Sequence, residues 1–185
     1  QWAQVRTDNF KAWFGDWEND PANASKVVDE NGEPMVVYHG TEGDFNEFKP
    51  TEPNFYAITE GTYFFTDNEN VAANFGKYVM PVYLNIDNPT ELDGRNAGRF
   101  NTWELNDDSG NYGWIVENAD TGGGFATEYA VENPSQIKSA IGNNGEFNPT
   151  NPDIRFSRKA KNPINEGIKS AANDAKNSLP KPISG

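Results

Sequence analysis

The apolar residues of this chain fall in short runs, each cut off within a few positions by Gly, Pro, Asn or Asp, and only one stretch holds a helical period. A doubly wound parallel sheet needs a long amphipathic helix between successive strands, so that class is excluded. What remains is an α+β fold, with short strands in two small antiparallel β-sheets and a few short helices. The helical stretch is Phe10, Trp13, Phe14 and Trp17, spaced i, i+3, i+4 and i+7 along one face, with Thr7 or Asp8 placed to cap its start. It reads as a helix packed on the core.

Lys26-Val27-Val28-Asp29 and Pro34-Met35-Val36-Val37-Tyr38 flank Asn31-Gly32, the strongest short signal for a hairpin, with positive φ expected at both central residues. The second run leads into His39-Gly40-Thr41. Residues 42–60 are polar, hold Pro50 and Pro53, and read as a long loop. Thr62-Tyr63-Phe64-Phe65-Thr66 reads as an aromatic strand, after which Asp67 or Asn68 caps a short helix over residues 69–75. Residues 79–86 give a strand with Val82, Leu84 and Ile86 on one face and Tyr83 on the other. Pro81 assigns that strand to an edge or an irregular point, and Asn88-Pro89 ends it. Further strands are expected at residues 100–103, 112–116, 127–131 and 153–156, with Gly122-Gly123-Gly124 a flexible break and Pro134 to Lys138 a turn. From Arg158 onward Lys, Asn, Ser and Pro dominate, so residues 158–185 read as a polar tail or linker behind a domain of residues 1–157.

The 28 acidic residues outnumber the 15 basic ones, for a formal charge of −13. Such a surface repels phosphate backbones and anionic membranes at long range, which argues against nonspecific nucleic-acid binding. The chain has no cysteine, so disulfides, thiolate zinc sites and cysteine nucleophiles are excluded together. No apolar run approaches the roughly 18 residues of a membrane span, and no signal peptide opens the sequence. The expectation is a monomeric domain of a larger protein, working in a cytoplasm or delivered into the cytosol of a target cell.

Three segments carry side chains suited to chemistry. The single histidine stands in Tyr38-His39-Gly40-Thr41, where Gly40 lets a ligand approach the backbone closely; a lone histidine is also, by itself, often structural. In the aromatic strand Tyr63 and Phe65 oppose Phe64, so one face can fill a core while the other lines a cleft. Phe64 with Phe75 from the following helix could clamp a flat ring, or both could be ordinary core residues. In Thr127-Glu128-Tyr129-Ala130-Val131, Glu128 shares a face with Ala130, opposite Tyr129 and Val131. It is either a solvated carboxylate or one lining a cleft. No metal-ligand cluster and no glycine-rich dinucleotide fingerprint appears.

Taken in order, these segments resemble the ADP-ribosyltransferase superfamily of His-Tyr-Glu type. Tyr38-His39-Gly40-Thr41 is similar to the first motif of diphtheria toxin and the poly(ADP-ribose) polymerases. Gly61 through Thr66-Asp67-Asn68 to Ala72-Ala73-Asn74-Phe75 is similar to the second, and Glu128-Tyr129-Ala130-Val131 with Gln136-Ile137 to the third. More narrowly, Phe10-Lys11-Ala12-Trp13-Phe14-Gly15-Asp16-Trp17, Val28-Asp29-Glu30-Asn31-Gly32, Gln136-Ile137-Lys138-Ser139-Ala140 and Asn151-Pro152-Asp153-Ile154-Arg155-Phe156-Ser157 resemble ADP-ribosyltransferase domains of phage and mobile-element polyvalent proteins and related toxins. The resemblance spans roughly residues 7–157. It departs in two places: the stacking tyrosine falls on Phe64, unless a one-residue bulge restores Tyr63, and the serine that holds the nicotinamide amide falls on Ala72.

The resemblance implies that the two sheets form an NAD-binding cleft and that NAD is co-substrate. It assigns Glu128 to stabilising the oxocarbenium-like ribose, and Gly40, beside Thr41, to holding the nicotinamide amide. Phe64 (or Tyr63) and Phe75 would clamp the ring beside Ala72, and His39 would bind the adenosine ribose. The implied activity is mono-ADP-ribosyl transfer to a macromolecular acceptor, protein favoured over nucleic acid, in a phage or bacterial effector or toxin. Ala126, where a second glutamate would hint at arginine-directed transfer, disfavours arginine acceptors. The alternatives are an NAD glycohydrolase and a non-catalytic NAD or ADP-ribose binding module.

Overall fold

The computed structural model describes residues 2–49, 61–95 and 112–155. Helix α1 spans Asp8–Phe14, and the Thr7 hydroxyl caps it by accepting the Phe10 N–H at 3.3 Å. The helix stops at Gly15, whose φ of 97° suits only glycine and whose N–H returns to the Lys11 carbonyl at 2.9 Å. Trp17 therefore lies beyond the helix and not on its face. It is still buried, its indole N–H donating to the Val5 carbonyl at 3.0 Å. Phe10, Trp13 and Phe14 pack with Tyr83 and Phe147 into an aromatic cluster. Because the cap satisfies one orphan helix N–H, Thr7→Ala is expected to cost about 1 kcal/mol and Thr7→Ser almost nothing, read by denaturant unfolding.

Among the described residues seven strands follow: β1 (Val37–Thr41), β2 (Tyr63–Thr66), β3 (Tyr78–Leu84), β4 (Asn88–Asp93), β5 (Tyr112–Asp120), β6 (Phe125–Val131) and β7 (Ile137–Ser139). Helix α2 (Glu69–Ala72) and a 3-10 turn, Ala73–Phe75, lie between β2 and β3. The fold is α+β as expected, but the two antiparallel sheets are one mixed sheet, ordered β4-β5-β6-β2-β1-β3-β7. Its halves are joined by a single register pair between β1 and β2, Tyr38 opposite Thr66. The mixed character comes from β4, which runs parallel to β5. Residues 94–111 between them are long enough for the return that a parallel pair requires.

Other expectations shift for local reasons. Asn31-Gly32 does turn the chain, but only Gly32 has positive φ (79°). The Gly32 N–H reaches the Asp29 carbonyl, the Asp29 N–H reaches the Glu33 carbonyl, and the Asp29 carboxylate accepts from the Asn31 and Glu33 N–H groups. That is a turn closed by a left-handed glycine, and the flanking runs meet only in the Val28–Pro34 bridge. Pro81 is not on an edge, since β3 lies between β1 and β7. Its carbonyl accepts the Ala140 N–H, so its nitrogen faces that same side, past the end of β7, and no β1–β3 bond is lost. β3 does end before Asn88-Pro89, at Leu84, but Asn88-Pro89 then opens β4; Pro89 sits on an edge strand, where proline is tolerated. Gly122-Gly123-Gly124 forms the tip of the β5–β6 hairpin, with the Thr121 N–H and hydroxyl both donating to the Gly124 carbonyl. The expected last strand contributes one bridge, Glu47 with Asp153. The expected strand at 100–103, Pro50 and Pro53, Phe156 and the 158–185 tail lie outside the described residues.

The main core lies on one face of the sheet: Val37, Val82, Leu84 and Ile86 with Phe65, Tyr129, Val131 and Ile137. Tyr83 points the other way, into the α1 cluster, so β3 divides two cores. The alternation read from the sequence is what produces this division.

Candidate active site

A cavity of about 830 Å³ opens along β1 and β2, on both sides of the single-pair seam. Such a volume is in the upper part of the ~300–1,000 Å³ that small-molecule sites occupy and admits a dinucleotide. His39, Gly40, Thr41, Tyr63, Phe64, Ala72, Phe75 and Glu128 all line it. Eight residues singled out in the sequence, from five separate elements, therefore share one crevice.

Glu128 is carried by β6 between β2 and β5, opposite Thr66 and Val116. Its backbone is pinned beside that point. The Thr127 N–H donates to the Asp67 carboxylate at 3.0 Å, and the Asp67 N–H donates to the Thr127 carbonyl at 3.3 Å. Burial pushes the Glu128 carboxyl above the usual glutamate range. A carboxylate in such surroundings gains most from a ligand that brings positive charge.

His39 stands on β1, its Nδ1 at 2.8 Å from the Phe64 carbonyl, to which it donates. That bond leaves Nε2 of the neutral ring as an acceptor. Burial lowers the imidazole's pKa below its ordinary value, with the carbonyl contact acting in the opposite direction. The ring is packed among Phe45, Phe48 and Phe65, with centroids 6.2, 5.0 and 5.4 Å away.

β2 runs against β6 without a register shift, from Tyr63 opposite Val131 to Thr66 opposite Glu128. With no bulge, Tyr63 stays on the core face, packed on Phe48 at 5.1 Å, and its hydroxyl is buried without a partner. Phe64 is 43 % exposed and Phe75 is 49 % exposed, both facing the cavity. Exposed rings of that size on a small domain suit a flat ligand. Phe75 is held from behind: a Cβ on Gly123 would come within 2.8 Å of its ring, and Asn74 Nδ2 donates to the Gly123 carbonyl at 2.8 Å.

Gly40 has a packing role that the sequence did not reveal. A Cβ there would lie 1.8 Å from the Ala72 carbonyl oxygen and 3.0 Å from Phe75 Cβ, so only glycine lets the end of α2 lie against β1. Ala72 is buried in that contact. Residues 45–49 are loop as read, apart from the Glu47 bridge, but sequence reasoning missed that they line the cavity. Phe45 and Phe48, spaced i, i+3 in a polar stretch, were the available signal. The Asn46 side-chain amide donates to the Asp153 carboxylate at 2.7 Å and the Ile154 N–H donates to the Asn46 carbonyl at 2.8 Å, so this strap is tied to the end of the described chain.

Among the described residues no group of three His, Cys, Asp or Glu side chains is placed to hold a metal ion. No helix among them is long and apolar enough to cross a membrane.

The mixed, seam-divided sheet and the turn after α2 thus bring an imidazole, a glycine, two exposed rings and a half-buried carboxylate to one crevice. The family model described as ADP-Ribosyltransferase in polyvalent proteins matches residues 29–147, and the chain belongs to that family. No curated protein and no solved structure matches the chain.

Proposed function

We propose that this domain cleaves NAD and transfers one ADP-ribose to a macromolecular acceptor, a protein in preference to a nucleic acid, as the effector or toxin activity of a phage or bacterial polyvalent protein. The observation that carries the reading is the meeting of Glu128, His39, Gly40, Phe64 and Phe75 in one cavity. In this reading Phe64 and Phe75 hold the nicotinamide ring and the Gly40 backbone orients its amide. The bond between the ring nitrogen and ribose C1′ breaks, and its electron pair leaves with neutral nicotinamide. The ribose becomes oxocarbenium-like, and Glu128 stabilises that charge while accepting the 2′-hydroxyl proton in a hydrogen bond. His39 Nε2 accepts from a hydroxyl of the adenosine ribose, fixing the dinucleotide without moving a proton. The acceptor nucleophile then bonds to C1′ and releases its own proton.

The test is incubation of the domain with NAD labelled on the adenylate, in a lysate of bacterial cells. Label that becomes bound to macromolecules and is removed by protease supports the proposal. Label removed only by nuclease overturns the protein preference. Free ADP-ribose with no labelled macromolecule identifies a glycohydrolase, and tight NAD binding without nicotinamide release identifies a binding module.

A further inference from the structure

We infer that Lys49 supplies the positive charge that receives the pyrophosphate of the dinucleotide, an inference that rests on the reading of the cavity as an NAD site. The cavity lies in a chain of net charge −13, and two carboxylates, Glu47 and Glu128, line it. A pyrophosphate brings two further negative charges. Among the described lining residues Lys49 is the only lysine or arginine. Its ammonium is 4.0 Å from the Glu47 carboxylate, the outer limit of an ion pair, and its side chain is 74 % exposed, so among the described residues it has only this weak, solvent-screened pairing.

Its root is fixed and its tip is exposed to solvent. Phe48 beside it is buried against His39 and Tyr63, and Asn46 is tied to Asp153 and Ile154. Lys49 thus leaves the wall from a strap whose Phe48 packs on His39, Tyr63 and Phe65, and it lines the same cavity as Glu128. A ligand with one ribose at Glu128 and the other at His39 carries its pyrophosphate between them, against the wall that bears Lys49. A lysine serves as a compact, rotatable charge for this purpose, without the fixed fork of arginine.

The experiment measures nicotinamide release by the full chain and by Lys49→Gln and Lys49→Arg, with adenosine and ADP-ribose as competitive inhibitors. Lys49→Gln is expected to raise KM for NAD and the inhibition constant of ADP-ribose about tenfold, as loss of one charge-assisted contact does. It leaves kcat and the inhibition constant of phosphate-free adenosine within about twofold, and Lys49→Arg restores most of the loss. The dependence of KM on salt flattens in Lys49→Gln. An unchanged KM in Lys49→Gln overturns the inference. So does an equal weakening of adenosine, which would mean that the strap had shifted and no phosphate contact had been lost. In both of those cases the wild-type chain still releases nicotinamide; a wild-type chain that neither binds nor cleaves NAD removes the functional reading and this inference with it.

Discussion

Glu128→Gln is expected to lower nicotinamide release from NAD by about 10²- to 10³-fold, the scale seen when one group aimed at a developing charge is removed. The amide keeps the size of the carboxylate and can still contact the 2′-hydroxyl, so NAD binding changes far less than kcat. The environment of Glu128 gives the variant a second readout. Burial raises the carboxyl's pKa, and the charge-stabilising role requires the ionised form. As pH falls through that raised pKa the carboxylate is protonated and the activity is lost. The acid limb of kcat/KM in the wild type therefore lies at higher pH than an exposed glutamate would give, and it disappears from the residual activity of Glu128→Gln. Undiminished turnover in the variant, or an acid limb that persists in it, would remove Glu128 from the mechanism.

Gly40→Ala is expected to lower kcat/KM by about a hundredfold, the cost of displacing positioned groups by an ångström. The added methyl would meet the Ala72 carbonyl oxygen at 1.8 Å, and a backbone atom at the end of a helix does not swing aside as a long side chain does. Either β1 retreats, taking His39 with it, or the end of α2 shifts and takes Phe75 out of the cavity. Each route also strains a packed contact, so the melting temperature falls by several degrees, as overpacking by about 1–3 kcal/mol requires. Steady-state kinetics with a thermal melt checks both. A fully active, equally stable Gly40→Ala would mean that β1 and α2 do not meet as described.

The site was more legible in the sequence than the sheet. Phe64 and Glu128 could be assigned strand faces because alternation depends on the local chain alone, and the continuous β2–β6 register preserved those faces. The motif order then made NAD the expected ligand, and the family match agrees with that resemblance at the level of the family. Sheet organisation depends on pairings between distant segments. Whether β2 bonds to β1 is decided by one pair, Tyr38 with Thr66, and no local pattern encodes a single pair. β4 went unseen because Pro89 near its start reads as a stop, and edge placement removes that objection only after the partner strand is known. The strap escaped notice for a related reason. Its order comes from Asn46 bonding to Asp153, a contact made across more than a hundred positions.

That long contact bears on how such a domain is moved between larger proteins. The family match stops at residue 147, yet the wall around His39 is fastened by residues 153 and 154. A recombination breakpoint placed at the end of the match would hand the recipient every motif side chain and leave behind the clasp that fastens the wall around His39. In this chain the unit that shapes the crevice therefore extends past the stretch matched to the family.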